Sequence, residues 1–351
     1  MPDSSINPGA SGLAACPSAV DIIIPAHHAA STLAPCLDSV LAQSFKDWRA
    51  IVIINQNGYD ATMGIAGKYA GADPRITVRY LQRGDLSSAV NYGVISVSDA
   101  PYIAMLDADD EYDPRFLELA LDAMRATGAD MALTDVLRFE DESELRGAIE
   151  SNARVALDVE VQRGEEKYEF MMRNPISGVL RSNRVYTRKA LEGVWYPSGR
   201  IHEDEYAIYD VLHNCETVAH VKAPLYYYRK TPGSITSTSN PRELLDEMNA
   251  LSYRVRLASM FGNAYVVASA LKKEVMDVCF RYASYTDHER ADYRTVEAVR
   301  TAKRDLREYG NYLRMVDRVR FSTMLAQPES APMLVRRRAV AEGDGAMKKG
   351  K

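Results

Sequence analysis

The chain has 351 residues, 46% hydrophobic and 26% charged, an ordinary globular mix with room for roughly two domains. Its formal net charge of −5 provides no global basic field for phosphate backbones, which argues against a nucleic-acid partner. The four cysteines, Cys16, Cys36, Cys215 and Cys279, form no Cys-x-x-Cys pair and have no histidine at zinc-ligand spacing, so thiols that are reduced, buried or incidental are expected, which suits a cytosolic protein.

Met1 to Val20 is rich in Ser, Ala and Pro and lacks a basic stretch leading into an apolar core, so it does not read as a signal peptide. The longest apolar runs, Ile22 to Ile24 and Ala264 to Leu271, are too short to span a bilayer. Val20 to Pro25, a β-branched run stopped by proline, predicts a buried strand. Ser31 to Gln43 carries Leu33, Cys36, Leu37, Val40 and Leu41 at helical spacing, with Ser31 or Thr32 available as cap. Trp48 to Ile54 predicts a second strand, ending in the turn residues Asn55-Gln56-Asn57-Gly58. A helix over about 61–70, a strand over Ile76 to Leu81, a helix over about 86–96 and a strand over Tyr102 to Leu106 follow.

This alternation predicts a parallel sheet with helices on both faces, in which ligands bind beyond the carboxyl ends of the strands. The polar groups after Ile24, Ile54 and Leu106 all belong to that edge. Past Pro114 the pattern predicts a helix to about Ala126 and a strand over Met131 to Leu137. Glu140 to Glu166 is charged and weakly periodic and reads as a loop, hairpin or insertion. Tyr168 to Arg173 and Glu203 to Leu212 read as helices, Val185-Tyr186 and Val218 to Val221 as strands. From Pro241 to about Met324 the chain is helix-rich with little Gly or Pro, and the end, with Arg336-Arg337-Arg338 and Lys348-Lys349, reads as a disordered basic tail.

The strongest chemical signal is Asp107-Ala108-Asp109-Asp110 at a strand end. Mg²⁺ or Mn²⁺ wants carboxylate oxygens, and one or two protein carboxylates suffice when a diphosphate supplies other ligands. By itself such a turn is also an ordinary solvated helix start. Gly64 to Lys68 lacks the spacing and hydroxyl of a P-loop, and His202 to Tyr206 lacks the second histidine of a zinc helix.

Val20-Asp21-Ile22-Ile23-Ile24-Pro25-Ala26, then Leu37-Asp38-Ser39-Val40-Leu41-Ala42-Gln43-Ser44-Phe45, closely resemble the opening of family 2 glycosyltransferases. So do Asp85 to Gly93, with its Ala-x-Asn-x-Gly core, and Ala100 to Asp110 at the family's spacing. Ile201-His202-Glu203-Asp204-Glu205-Tyr206 resembles the family's Glu-Asp motif. Lys222 to Arg229 and Gly233-Ser234-Ile235-Thr236 resemble the closing segment of polysaccharide-assembly members.

The resemblance implies a GT-A-type, Rossmann-like α/β fold, with a mostly parallel sheet, helices on both faces and a C-terminal helical region. The expected division is a disordered segment 1–19, a catalytic domain 20–238, a helical domain 239–328 and a disordered basic tail 329–351. It implies inverting, metal-dependent, non-processive transfer from a nucleotide sugar, UDP-linked before GDP or dTDP, to a glycan or lipid-linked glycan in polysaccharide biosynthesis. Asp109 would bind Mn²⁺ or Mg²⁺ and Asp107 the metal or the ribose, while Asp204 would serve as general base beside Glu203. Pro25, Ala26 and Gln56 would hold the nucleotide base, Asn91 would belong to the donor site, and Arg229 and Ser234 would meet the diphosphate as a loop closes. The implied location is cytoplasmic. The C-terminal helices and basic tail suggest an acceptor-presenting role or a peripheral contact with the inner face of the plasma membrane, against the plainer alternatives of a homodimerisation arm or a stabilising cap.

Two features depart from the pattern. The turn after the second strand usually carries two acids, one of which reads the base, and here it carries Asn55 and Gln56, with Asp60 further on. The family's Tyr-Asn after the first-strand proline is His27-His28. They leave room for an unusual donor or a non-catalytic scaffold of a glycan-assembly complex. A nucleotidyltransferase, the other rival, should carry a Gly-rich basic loop where this chain has Pro25-Ala26-His27-His28.

Overall fold

The computed structural model describes residues 18–55, 60–174, 177–230 and 240–330. Gln56, Ser234 and nearly all of the two terminal segments lie outside them. β1 (Val20–Ala26) is buried along its whole length, as a β-branched run in the middle of a parallel sheet should be. It is followed by α1 (Leu33–Leu41), β2 (Trp48–Asn55), α2 (Thr62–Ala72), β3 (Ile76–Leu81) and α3 (Leu86–Asn91). A π-turn over Tyr92–Val97 then leads to β4 (Tyr102–Met105), β5 (Glu111–Tyr112), α4 (Phe116–Thr127) and β6 (Met131–Phe139).

Next come α5 (Glu142–Asn152), β7 (Val159–Arg163), α6 (Glu166–Arg173), β8 (Arg184–Thr187), α7 (Glu203–Asn214) and β9 (Thr217–Arg229). The helical region comprises α8 (Pro241–Met260), α9 (Ala264–Ser284), α10 (Asp287–Ala291), α11 (Tyr293–Tyr309) and α12 (Met315–Ala326). The segment read as a loop or insertion thus contains a helix and a strand. Its periodicity is weak because α5 buries only Leu145 and Asn152; its start is marked by Asp141, which accepts from the Ser143 N–H at 2.7 Å.

The sheet runs β3-β2-β1-β4-β8-β6-β9-β5, with β7 also on β9. The first four strands are parallel, as the alternation predicts. β8 then enters antiparallel to both β4 and β6, β6 and β9 are parallel, and β5 and β7 pair antiparallel with β9. Alternate side chains feed two cores. Ile22, Ile24 and Val52 pack with α1, α2 and α4. Ile23, Ile51 and Ile53 face the other side, where the apolar core continues through α7 into α8, α9, α11 and α12.

A buried acid fastens the sheet's opening. Asp21 receives both Arg49 Nε at 2.9 Å and Nη2 at 2.8 Å, plus the N–H groups of Asp99 and Ala100. Burial pushes its carboxyl pKa up, but these donors outweigh it and hold the group below the usual range. Cys36, Cys215 and Cys279 are free and buried, as expected. Among the described residues no helix is long and apolar enough to cross a membrane.

Candidate active site

The parallel strands β1, β2 and β4 end at one edge of the sheet. Pro25 and Ala26 close β1 and are buried, followed by the exposed His27 and His28, the latter in the left-handed region at φ 50°. Asp60 accepts from the Thr62 N–H and hydroxyl at 3.0 and 2.8 Å, and Thr62 Oγ1 in turn accepts from the Ala29 N–H at 2.9 Å. This chain ties the loop after β1 to the start of α2. At the end of β2, Asn55 is 6% exposed, donates to the Asp85 carbonyl at 3.0 Å and leaves its Oδ1 without a hydrogen bond among the described residues.

The Asp85 to Gly93 motif works as a fastener. Asp85 caps α3 through the Ser88 N–H at 2.9 Å and also accepts from the Gly199 N–H. Asn91 donates to the Tyr196 carbonyl at 2.7 Å and accepts from the Tyr196 N–H at 3.0 Å, so its buried amide is committed to the segment that leads into α7. Gly93 is required by contact: a Cβ there would lie 2.5 Å from Ile23 Cγ2 and 2.8 Å from Ile53 Cδ1.

Beyond β4, Asp107 to Asp110 form a turn closed by the Asp110 N–H on the Asp107 carbonyl at 3.0 Å. The three acids differ in surroundings. Asp110 is buried, accepts from the Tyr226 hydroxyl and the Arg229 N–H, and so anchors β9 to the turn. Asp109 is half-buried and, unlike Asp107, enters no ion pair among the described residues. Burial, then the Asp107 charge, push its carboxyl up to about 6. Asp107 is ion-paired with Arg181.

Arg181 is 5% exposed and reaches a second acid, donating from Nη1 to Glu203 Oε1 at 2.6 Å. Glu203 opens α7 after His202, a non-glycine residue held in the left-handed region at φ 63°. Asp204, the next residue, lies near the same guanidinium without a hydrogen bond to it. It is half-buried, accepts from the Glu205 N–H at 3.0 Å and lines a narrow crevice with Arg181, Tyr186 and Tyr196. Burial, with Glu203 beside it, pushes its carboxyl up to about 8, despite the opposing pull of Arg181. The strand-end acids and the helix-start acids therefore share one buried guanidinium.

Arg181 has no signal in the sequence. Its partners lie 74 and 22 residues away, and no motif surrounds it. Arg229 is bound to Glu111 and, at 2.8 Å, to Glu142, with its guanidinium 4.6 Å from the Phe139 ring. Tyr226 and Tyr227 are both buried, because the first packs in the α4-side core while Phe139 and Leu145 cover the second.

For a divalent cation, the hard oxygens are those of Asp107 and Asp109. No group of three or more acid, His or Cys side chains poised for a metal exists among the described residues. A cation held by this pair would have to take its remaining ligands from elsewhere, such as a diphosphate and water. Asp109 is free for that role, whereas Asp107 must share itself with Arg181.

Residues 21–195 match the sequence profile of Glycosyl transferase family 2, a span that ends before Glu203 and Asp204. The glycosyltransferase GlyA of Streptococcus pneumoniae is 24% identical over 262 residues, which is 74% of this chain and 37% of that protein. The uncharacterized glycosyltransferase EpsJ of Bacillus subtilis is 26% identical over 263 residues, 73% of each chain. The chain thus spans little more than a third of the first relative and about three quarters of the second. In fold it is similar to S. aureus TarS residues 1–349, with a TM-score of 0.66, 13% identity and coverage of 88% of this chain and 87% of that one. TarS in complex with UDP-GlcNAc gives a TM-score of 0.65.

Proposed function

From a chain that belongs to glycosyl transferase family 2 and has a GT-A-like fold, we propose an inverting, non-processive transfer of a sugar from a nucleotide-sugar donor to a glycan or lipid-linked glycan hydroxyl. What supports this reading is the meeting of Asp107 and Glu203 on Arg181, which brings the turn after β4 and the start of α7, with Asp204, to one site. UDP is the nucleotide to test first, because the structurally similar TarS binds UDP-GlcNAc.

In this mechanism Asp204 takes the proton of the acceptor hydroxyl as its oxygen attacks the anomeric carbon. The new C–O bond forms as the bond to the diphosphate breaks on the opposite side, inverting the centre. A base poised near neutral pH suits this task, since it can both accept the proton and be deprotonated beforehand. Asp109, with Asp107, would hold Mn²⁺ or Mg²⁺, which when bound supplies Lewis-acid stabilisation of the departing diphosphate. Glu203 holds Arg181 and so sets the field between the two acids.

A second reading, a nucleotide-sugar-binding subunit without turnover, is favoured by one observation. Asp107 is already ion-paired, so a cation that needs both aspartates must compete with Arg181. A hydrolysis and binding screen across nucleotide sugars with Mn²⁺ separates the two. Turnover with any donor supports the enzyme, saturable binding without turnover supports the subunit, and absence of both defeats each.

A further inference from the structure

The segment that carries Asp204 is held from outside the sheet. On α8, Asp246 is 4% exposed and uses both carboxylate oxygens on that segment: Oδ1 accepts from Arg200 Nη1 at 2.9 Å and Oδ2 from the Ile201 N–H at 3.1 Å. One turn earlier on α8, Glu243 lies 3.8 Å from His202 Nε2. Two turns later, Arg254, 2% exposed, donates to the Glu205 carbonyl at 3.1 Å and pairs with the Glu205 carboxylate. α8 thus grips Arg200, Ile201 and Glu205, residues on both sides of Glu203 and Asp204. The strained backbone at His202 lies between these grips, as a left-handed non-glycine residue must be over-determined by its surroundings. Behind α8, Lys273 and Arg281 of α9 neutralise Glu247, and Arg281 lies 3.7 Å from Glu243.

We propose that α8 is a working part of the active site and that Asp246 is a positioning residue for the base. Resting on the assignment of Asp204 above, Asp246 sets the entry turn of α7 and thereby aims the Asp204 carboxylate at the acceptor. A carboxylate bound at once to a side chain and a backbone N–H fixes the position and the direction of the chain it holds. A displacement of about 1 Å at a reacting group can cost roughly 10²-fold in rate. The helices after β9 then govern turnover without touching donor or acceptor.

The test uses the full chain with Asp246→Ala and Asp246→Asn, alone and combined with Asp204→Asn. Hydrogen exchange of the 199–205 backbone is read first, because it needs no substrate. UDP affinity and UDP release from a panel of UDP-sugars with Mn²⁺ follow. In Asp246→Ala, residues 199–205 should exchange at least about tenfold faster while β1 and β4 are unchanged. Its kcat should fall roughly 10²-fold with UDP affinity within about twofold. Asp246→Asn, which keeps an acceptor for the Ile201 N–H, should lie between. In the Asp204→Asn background Asp246→Ala should cost nothing further, since it acts through the missing base. Unchanged exchange, or an equal loss in both backgrounds, overturns the proposal and leaves the base assignment standing. Normal turnover by Asp204→Asn overturns the base assignment and this proposal with it. If Asp246→Ala does not fold, Asp246→Asn and Arg200→Ala, each weakening one arm of the grip, decide by the same readings.

Discussion

Arg181 Nη1 donates to Glu203 Oε1 across 2.6 Å, and both side chains are almost wholly buried. The same guanidinium also neutralises Asp107, so the two acidic clusters are held together by one cation. A buried carboxylate without a partner is strongly disfavoured, and here the buried Glu203 and the half-buried Asp107 would lose theirs at once. Arg181→Ala should therefore lower stability by about 3–5 kcal/mol in denaturant unfolding. Arg181→Lys should recover only part of this, since one ammonium cannot reproduce the two-armed fork. Wild-type stability in Arg181→Ala would remove the bridge from the account.

The base assignment makes a pH prediction. Asp204 holds its proton up to about pH 8 in the free protein, and only the deprotonated form can accept the acceptor's proton. The kcat/KM for transfer should climb with pH and level off above about 8. Asp204→Asn should abolish that limb and lower the rate by roughly 10²–10⁴-fold with UDP affinity retained. Glu203→Gln removes a neighbouring negative charge that raises the Asp204 pKa, so the limb should move to lower pH with a milder loss of rate. A profile that is flat from pH 6 to 9 in the wild type would count against Asp204.

The same shifts govern stability and metal linkage. Asp109 and Asp204 titrate near 3.8 when unfolded but near 6 and near 8 when folded, so between these limits the folded chain holds more protons. Their contribution to stability is therefore full below about pH 3.8 and is lost as pH rises through 6 and then 8. A cation on Asp109 requires the deprotonated carboxylate, so binding of Mn²⁺ near pH 5.5 should release protons. Calorimetry in buffers of different ionisation enthalpy should show the release, and Asp109→Asn should abolish both binding and transfer. Full transfer in excess EDTA would defeat the metal assignment.

Two glycine-to-alanine changes should have opposite signs. Gly93→Ala places a methyl 2.5 Å from Ile23 Cγ2 and should destabilise by about 1–3 kcal/mol. Gly147 lies within α5 with nothing within 4 Å of an added Cβ, so Gly147→Ala should stabilise by roughly 0.5–1 kcal/mol. Thermal melts of the two variants check both, and a neutral Gly93→Ala would mean that the π-turn relaxes away from the sheet.

The parallel half of the sheet was legible because its signals are local. Ile22 to Ile24 and Ile51 to Ile54 are apolar in consecutive positions, as a strand covered on both faces requires, and the intervening helices repeat their apolar residues every three or four positions. The Asp107 to Asp110 turn and the Glu203-Asp204 pair were legible too, since each is a run of adjacent residues at an element's end. The tertiary structure decided what those acids meet. Arg181 draws Asp107 and Glu203 together from 74 and 22 residues away. Asp246 reaches Arg200 and Ile201 across 46 and 45 residues, and Asn91 reaches Tyr196 across 105. Such contacts leave no period in a one-dimensional pattern, because an ion pair or a single amide needs only one residue on each side. Local repetition specifies strands and helices, whereas the surroundings of each buried charge, and with them its pKa and its reach, exist only once the chain has closed on itself.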